Sequence, residues 1–247
     1  MMQGGPGNRP AFALLELGVS EHYPKKLYGR RKGPKLSAHK EELRQTLLPR
    51  LTLRLQPGAD PCRCFEIAVE EVWLEIGFGA GEHLVAQVKA NPNIGLIGAE
   101  PYEAGVAKLL SKIAAAPPPN LRLHEGDARD IIDALPGGSL GRVFILFPDP
   151  WPKTRHHKRR FIQTEMLNAL ARVMKPGAEL RVASDDAGYV EWTLERVHAH
   201  PDFQWTAKNA ADWQKRPGHW PQTRYEAKAL HGPPAYLCFV RRAKLLS

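Results

Sequence analysis

The chain has 247 residues, of which 43% are hydrophobic and 25% are charged. This balance supplies enough apolar side chains for a folded core and excludes disorder along most of the chain. No apolar stretch approaches the ~20 residues of a membrane-spanning helix, so we expect a non-exported, cytoplasmic protein with no membrane contact. The three cysteines do not predict a disulfide framework. Cys62 and Cys64 have no second cysteine pair or suitably spaced histidine, so we expect no metal site.

Positive charge is in excess and is clustered. Lys and Arg number 35 against 26 Asp and Glu, which gives a formal net charge of +9. Seven Lys or Arg and no acid lie between Lys25 and Lys40, and five more lie between Lys153 and Arg160. A single run of this kind is usually solvated surface. Two runs at opposite ends of the fold-forming region favour a polyanionic partner, and nucleic acid matches best.

The first 70 residues predict little regular structure. Residues 1–24 open with Gly and Pro and are expected to form a mobile tail. Residues 25–70 are a basic arm with one short helix over 38–47, which Ser37 is placed to cap. The arm contains residues that interrupt regular elements: Gly29, Gly33 and Pro34. The orderly pattern begins after this arm and defines a third region, 71–247.

From residue 72 onwards, strand and helix patterns alternate. Short apolar runs typical of strands covered on both faces lie at 72–78, 94–99, 121–125, 143–147, 179–183, 203–206 and 236–241. Helical patterns lie at 82–90, 102–116, 160–173 and 187–199. The alternation predicts an α/β fold with a mostly parallel sheet and helices on both faces. No crossover helix separates the last two strands, so one strand is expected to be antiparallel.

The first strand runs into a glycine-rich turn. Gly77, Gly79 and Gly81 let the chain turn sharply and let a ligand approach main-chain N–H groups at a helix start. A dinucleotide fingerprint needs glycine at the position of Glu82, whose carboxylate would repel a pyrophosphate. The spacing therefore disfavours a dehydrogenase. It favours S-adenosylmethionine, whose sulfonium and ammonium groups attract carboxylates.

Carboxylates follow three successive predicted strands. Glu75 lies at the end of the first strand, and Glu100 closes the second, where an acid can accept both ribose hydroxyls. Asp127 follows the third strand beside Ala128 and is placed to read an adenine edge. The carboxyl ends of parallel strands meet at one edge of a sheet, so we predict that these residues form one cofactor site.

The fourth strand ends in a proline-stiffened loop, Phe147-Pro-Asp149-Pro-Trp151-Pro-Lys153. A rigid acid beside an aromatic ring suits a flipped-out nucleobase, because one group can hydrogen-bond while the other stacks. The basic run begins at once, so an anionic chain is expected to pass the mouth of the cofactor site.

Together these motifs resemble the bacterial tRNA (guanine-N7)-methyltransferases over roughly residues 25–242. The resemblance rests on residues 29–33, 75–81, 147–153 with their basic extension, and 223–226. It implies a seven-stranded, Rossmann-like class I methyltransferase fold with S-adenosylmethionine as cofactor. It also implies methyl transfer to N7 of guanine 46 in the variable loop of tRNA, by a monomer or a homodimer.

The resemblance also implies residue roles. Asp149 would be the catalytic residue, with an orienting and electrostatic role. Cofactor contacts would come from Glu75, Gly77, Gly79, Gly81, Glu100, Asp127, Ala128 and Asp149. Substrate contacts would come from Lys153, Asp185, Thr223, Arg224, Tyr225 and Glu226. RNA contacts would come from Arg155, Lys158, Arg159, Arg160 and from Arg30, Arg31 and Lys32 of the basic arm. Asp186 is an alternative to Asp185.

Two other functions remain open from the sequence. An amino-methyltransferase that modifies an exocyclic nitrogen of RNA or DNA carries a related Pro-containing loop, although the match here is imperfect. A non-enzymatic RNA-binding protein on a methyltransferase fold would not need the intact glycines and acids of this chain.

Overall fold

The computed structural model describes residues 27–29, 31–218, 220–228 and 231–243. Within these residues, seven strands form one sheet: β1 (Glu71–Ile76), β2 (Ile94–Ala99), β3 (Leu121–His124), β4 (Leu140–Leu146), β5 (Met174–Ser184), β6 (Phe203–Trp205) and β7 (Ala235–Arg241). The helices are α1 (Ala38–Thr46), α2 (Leu48–Leu51), α3 (Glu82–Ala90), α4 (Glu103–Ile113), α5 (Ala128–Ala134), α6 (Thr164–Val173), α7 (Ala187–Ala199), α8 (Ala211–Gln214) and α9 (Arg224–Lys228). Two short 3-10 helices span Pro61–Cys64 and Thr154–Arg159. The tail at 1–24 and Arg30 lie outside the described residues.

The strand order is β3-β2-β1-β4-β5-β7-β6. Strands β1 to β5 pair in parallel, and β7 runs antiparallel to both β5 and β6. The predicted α/β fold with one antiparallel strand is therefore confirmed. The order reverses between β1 and β4, and such a switch point opens a crevice at the carboxyl ends of the two strands.

The sheet is covered on both faces, as its continuous apolar strands predict. Side chains alternate along β1, so Val72, Leu74 and Ile76 join one core cluster while Trp73 joins another. The first cluster includes residues of α5, α6 and α7, and the second includes residues of α1 to α4. Within the described residues, no helix has the length and apolar character to cross a bilayer.

Part of the predicted basic arm packs against the edge of the sheet. Leu47 and Leu51 are buried in the second core cluster, and the Leu53 N–H donates to the carbonyl of Leu123 on β3 at 2.8 Å. The guanidinium of Arg44 on α1 pairs with Glu103 on α4 and, at 2.9 Å, with Glu125 beyond β3. These contacts fix residues 38–53 beside the strands that carry the predicted cofactor acids.

Two local predictions were wrong, and one helix was not predicted. The helix predicted over 160–173 begins only at Thr164, because the preceding residues are extended where Ile162 enters the core. Strand β5 begins at Met174, five residues early, and its register against β4 shifts around Gly177, which has φ +83°. Helix α5 was not predicted, although Asp127 caps it by accepting a hydrogen bond from the Arg129 N–H at 3.0 Å.

Gly81 provides a test of the packing around the glycine turn. It has φ +75°, and a Cβ there would lie 2.3 Å from Cδ1 of the fully buried Leu109. We expect Gly81→Ala to lower the free energy of unfolding by about 2–4 kcal/mol, because left-handed strain and overpacking add. The control is Gly58→Ala, with φ +76° and no atom within 4 Å of its Cβ, where we expect about 1 kcal/mol. Equal losses in denaturant melts of the two variants would contradict this packing role.

Candidate active site

A cavity of about 600 Å³ lies at the carboxyl ends of β1 and β4, where the strand order reverses. Its wall is built from segments of the arm, of four strand ends and of the basic run. They include residues 27–29, 75–80, 99–102, 127–129, 145–149, 158–161 and 223–224. Most of the predicted cofactor residues therefore meet at one place, as the parallel topology requires.

The glycines of the turn have two different roles. Gly77 and Gly79 line the cavity with φ +73° and +57°, and a Cβ on Gly77 would meet open space. Gly81 is absent from the described residues of the wall and caps α3 against α4 instead. The structure thus brings Gly77 and Gly79 to the cavity and gives Gly81 a packing role.

Glu100 is held by main-chain groups on both of its oxygens. Oε2 accepts from the Gly79 N–H at 2.7 Å, and Oε1 accepts from the Tyr102 N–H at 2.8 Å. The side chain is buried, and this burial raises the pKa of its carboxyl, with Asp149 and Glu75 adding to the rise. Glu100 therefore ties the glycine turn to the end of β2 and keeps negative charge at the cavity wall.

The other two predicted cofactor acids also have local partners. Glu75 is buried on β1, with its Oε2 2.8 Å from Nδ1 of His83 on α3. Asp127 lines the cavity beside Ala128, and its carboxylate accepts from both the main chain and the guanidinium of Arg129. The capping bond orients Asp127 before any ligand arrives.

The loop after β4 is held in an unusual backbone conformation. Phe147 and Trp151 have φ +50° and +45°, which non-glycine residues rarely adopt. Such strain costs about 1–3 kcal/mol per residue and persists only where the surroundings enforce it. Asp149 lies between them, lines the cavity and is open to it, and partial desolvation by the surrounding wall raises the pKa of its carboxyl. Gly29 of the arm approaches it closely, since a Cβ on Gly29 would lie 3.6 Å from Asp149 Oδ2.

Arg160, which the sequence predicted to contact RNA, holds this loop instead of projecting into solvent. The residue is buried, with Nε donating to the Pro150 carbonyl at 2.8 Å and Nη1 donating to the Gly188 carbonyl at 3.1 Å. Its guanidinium also packs over the rings of Tyr189 and Trp192. The sequence signal was the apolar pair that follows it, Phe161 and Ile162, of which Ile162 is fully buried and Phe161 packs against the same core cluster.

The 3-10 helix that carries most of the remaining basic run lies at the cavity rim, with Lys158 and Arg159 in the wall. Lys153, Arg155 and Lys158 are exposed on or beside the 3-10 helix Thr154–Arg159. The guanidinium of Arg159 lies 4.9 Å from the ring centroid of Trp151 and 5.1 Å from that of Tyr28. Arg31 and Lys32 of the arm are exposed as well. Tyr28 was missed by the sequence reasoning, because nothing in the irregular arm indicated which residue would return to the cavity.

The late Thr-x-x-Glu segment forms a capping box on α9. The Glu226 N–H donates to Thr223 Oγ1 at 3.2 Å, and the Thr223 N–H donates to Glu226 Oε2 at 3.3 Å. Glu226 Oε1 also accepts from the Tyr236 hydroxyl at 2.5 Å and from Arg216 at 3.2 Å. Thr223 and Arg224 line the cavity, while the side chain of Tyr225 lies outside the described residues.

The two acids after β5 have different partners. Asp186 caps α7 by accepting from the Tyr189 N–H at 2.7 Å. Asp185 accepts from the His231 N–H at 3.3 Å and also lies 3.5 Å from His231 Nδ1. Neither is among the described residues of the cavity wall. The described part of the chain holds no cluster of three or more His, Cys, Asp or Glu suited to a metal ion.

Comparisons with known proteins agree with this site. A family model described as "Putative methyltransferase" matches residues 69–236. A tRNA (guanine-N(7)-)-methyltransferase of Rhodospirillum rubrum is 53% identical over 226 residues, covering 89% of each chain. The chain belongs to the bacterial tRNA (guanine-N7)-methyltransferase family. A protein of the same name from Chelativorans sp. strain BNC1 is 44% identical over 90% of this chain and 100% of its own.

The solved structure of the 16S rRNA methyltransferase KamB supports the fold alone. It is 20% identical and covers 77% of this chain and 97% of its own, with a TM-score of 0.50. This likeness agrees with a class I methyltransferase fold.

S-adenosylmethionine is the cofactor of this methyltransferase, and the cavity suits it. The sulfonium and ammonium groups are cationic, and the wall presents the carboxylates of Glu75, Glu100 and Asp149. Gly77 and Gly79 leave the main chain of the turn open to the ligand. The chemistry of the donor set therefore fits the methyl donor.

The raised pKa values of Glu100 and Asp149 predict a pH dependence of cofactor binding. Burial raises both, so each carboxyl is protonated at a higher pH than an exposed one. In the absence of ligand, each of these two carboxyls contributes fully to the free energy of unfolding below the ordinary carboxyl pKa. That contribution is lost as the pH rises through the raised pKa. A cationic ligand favours the ionised forms, so the affinity for S-adenosylmethionine should fall as pH is lowered through that range.

Calorimetric titrations at several pH values check this dependence. S-adenosylhomocysteine is the control, because it lacks the sulfonium charge and should show a shallower dependence. Identical pH profiles for the two ligands would contradict the electrostatic role of the carboxylates.

Proposed function

We propose that the chain transfers a methyl group from S-adenosylmethionine to N7 of guanine 46 in the variable loop of tRNA. This proposal rests on one observation, that two features meet at the same cavity. Its inner wall holds buried carboxylates suited to the cofactor. Its rim holds the strained Asp149-Pro-Trp151 loop and the basic 3-10 helix.

Guanine N7 carries a lone pair and no proton at neutral pH, so its methylation needs no strong general base. When bound, the cofactor supplies an activated methyl group. The task of the protein is to align N7 with that group and to fix the base. We assign Asp149 an orienting and electrostatic role, because positive charge develops on the purine and a nearby carboxylate favours that change.

The remaining roles follow from position around the cavity. Glu75 faces the cofactor ammonium, Glu100 the ribose hydroxyls and Asp127 the adenine edge. Thr223 and Arg224 on the wall support contact of the late segment with the base, and the network around Glu226 holds that segment in shape. Asp185 remains the better candidate of the two acids after β5, because Asp186 is already used as a helix cap.

The exposed basic residues at the rim are proposed to contact RNA phosphates. We expect Arg155→Gln to raise the KM for tRNA by about fivefold at low salt, with little change in kcat. The slope of log affinity against log salt concentration should fall by about one, as for the loss of one phosphate contact. Arg63→Gln is the matched control, since Arg63 is exposed on the other 3-10 helix. No residue of that helix is in the described wall of the cavity, whereas Lys158 and Arg159 on the helix of Arg155 are. Equal effects of the two variants would indicate a general charge effect and contradict a phosphate contact at Arg155.

The position of the modified guanine is tested by chemical cleavage at 7-methylguanosine in tRNA transcripts. The proposal predicts cleavage at position 46 in the natural transcript and none in a transcript with adenosine at that position. Cleavage at another guanine would overturn the positional assignment while leaving the N7 chemistry in place.

A further inference from the structure

A buried histidine–carboxylate pair lies in the cavity wall beside the glycine turn. Nδ1 of His83 is 2.8 Å from Oε2 of Glu75, and the two side chains are 2% and 3% exposed. Glu75 projects from β1 on the same face as Trp73, and His83 lies in the first turn of α3. Both residues line the cavity. The pair therefore joins the strand and the helix that bracket the turn.

The chemistry of the pair fixes which atom donates. An ionised carboxylate can only accept, so His83 Nδ1 carries the hydrogen and donates to Glu75 Oε2. Nε2 of His83 is buried and has no hydrogen-bond partner among the described residues. The imidazole also lies edge-on to Phe144 and Trp220, at centroid distances of 4.7 and 4.8 Å. These two rings hold the imidazole plane, and the imidazole in turn holds the carboxylate.

Glu75 is left with one oxygen for a ligand. Oε2 is engaged by His83, whereas Oε1 accepts no hydrogen bond from any described residue. We propose that His83 is a positioning residue, which fixes the Glu75 carboxylate so that Oε1 faces the ammonium group of the cofactor. This inference rests on the proposed assignment of Glu75 to that group.

A purely structural role is the weaker explanation for this pair. Burying a hydrogen-bonded charge is costly, and apolar side chains of similar volume usually stabilise a core as well or better. The surrounding side chains are aromatic, so a leucine would suit them. A polar pair in such surroundings, at the cavity wall and with one carboxylate oxygen that accepts from no described residue, is explained by a ligand that needs that oxygen in place.

The test compares two ligands that share the methylthioadenosine portion. S-adenosylmethionine adds the aminobutyrate group with its ammonium and carboxylate, which makes the sulfur a sulfonium, and 5′-methylthioadenosine lacks this group. We expect His83→Leu to weaken the calorimetric Kd for S-adenosylmethionine about tenfold and that for methylthioadenosine less than about twofold. His83→Asn should restore most of the affinity, because its amide nitrogen can donate to Glu75. The double variant Glu75→Gln/His83→Leu should bind no more weakly than Glu75→Gln.

The controls separate this inference from the assignment on which it depends. Equal weakening of both ligands by His83→Leu would overturn the positioning role and indicate packing alone, and so would additive losses in the double variant. If Glu75→Gln weakens the binding of both ligands equally, the assignment of Glu75 to the ammonium is wrong. The proposed role of His83 is then wrong as well. None of these measurements requires tRNA, so none depends on the proposed site of methylation.

Discussion

Asp149→Asn is expected to lower kcat for tRNA methylation about a hundredfold or more. The loss follows because the isosteric amide keeps the shape of the loop and removes the charge that favours positive charge on the purine. The affinity for tRNA should change less than about threefold, because the exposed basic residues of the rim are unaltered. Single-turnover rates and tRNA titrations measure these quantities separately.

The stability of the same variant supplies its control. Burial raises the pKa of the Asp149 carboxyl, so its ionised form is less favoured in the folded protein than in the unfolded chain. Asp149→Asn should therefore leave the melting temperature unchanged or higher while activity falls. Full turnover with unaltered RNA binding would contradict the role assigned to Asp149, and a lowered melting temperature would indicate that the loop had been displaced instead.

Glu100→Gln should weaken S-adenosylmethionine binding by about ten- to a hundredfold. Both oxygens of Glu100 accept from main-chain N–H groups, those of Gly79 and Tyr102. Glutamine offers one accepting oxygen, so its NH₂ group would face a donor and one of the two main-chain groups would lose its partner. The glycine turn would then shift, and the charge proposed to bind the ribose hydroxyls would be gone.

Glu103→Gln is the matched control for this variant. Glu103 lies three residues further on, pairs with Arg44 and is not among the described residues of the cavity wall. Its replacement should leave the Kd for the cofactor unchanged in the same calorimetric titrations. A Glu100→Gln protein that binds the cofactor as tightly as the natural one would contradict the role of this carboxylate.

The sheet was predictable from the sequence because its strands are short, apolar and regularly separated by helical patterns. Helix α7 was predicted at its observed bounds, Ala187–Ala199, since Asp186 and the residues after Ala199 mark both ends. The carboxyl-end acids were predictable for a topological reason. Parallel strands bring their ends to one edge, so Glu75, Glu100 and Asp127 meet whatever the details of the helices.

The structural features that could not be predicted from the sequence depend on tertiary contacts. The loop that contains the strained Phe147 and Trp151 is bonded at Pro150 to Arg160, whose place in a basic run predicted exposure. The register shift in β5 depends on its pairing with β4, which leaves no periodic signal. His83 follows Glu82 in an ordinary helix start, and only the packing of α3 against β1 brings it to Glu75.

The central claim is N7 methylation of guanine in tRNA, and nucleoside analysis tests it most directly. The purified protein is incubated with labelled S-adenosylmethionine and an unmodified tRNA transcript, and the RNA is digested to nucleosides. The account predicts label in 7-methylguanosine. Label in a nucleoside methylated on an exocyclic amine, or no label from a protein that binds the cofactor, would contradict it.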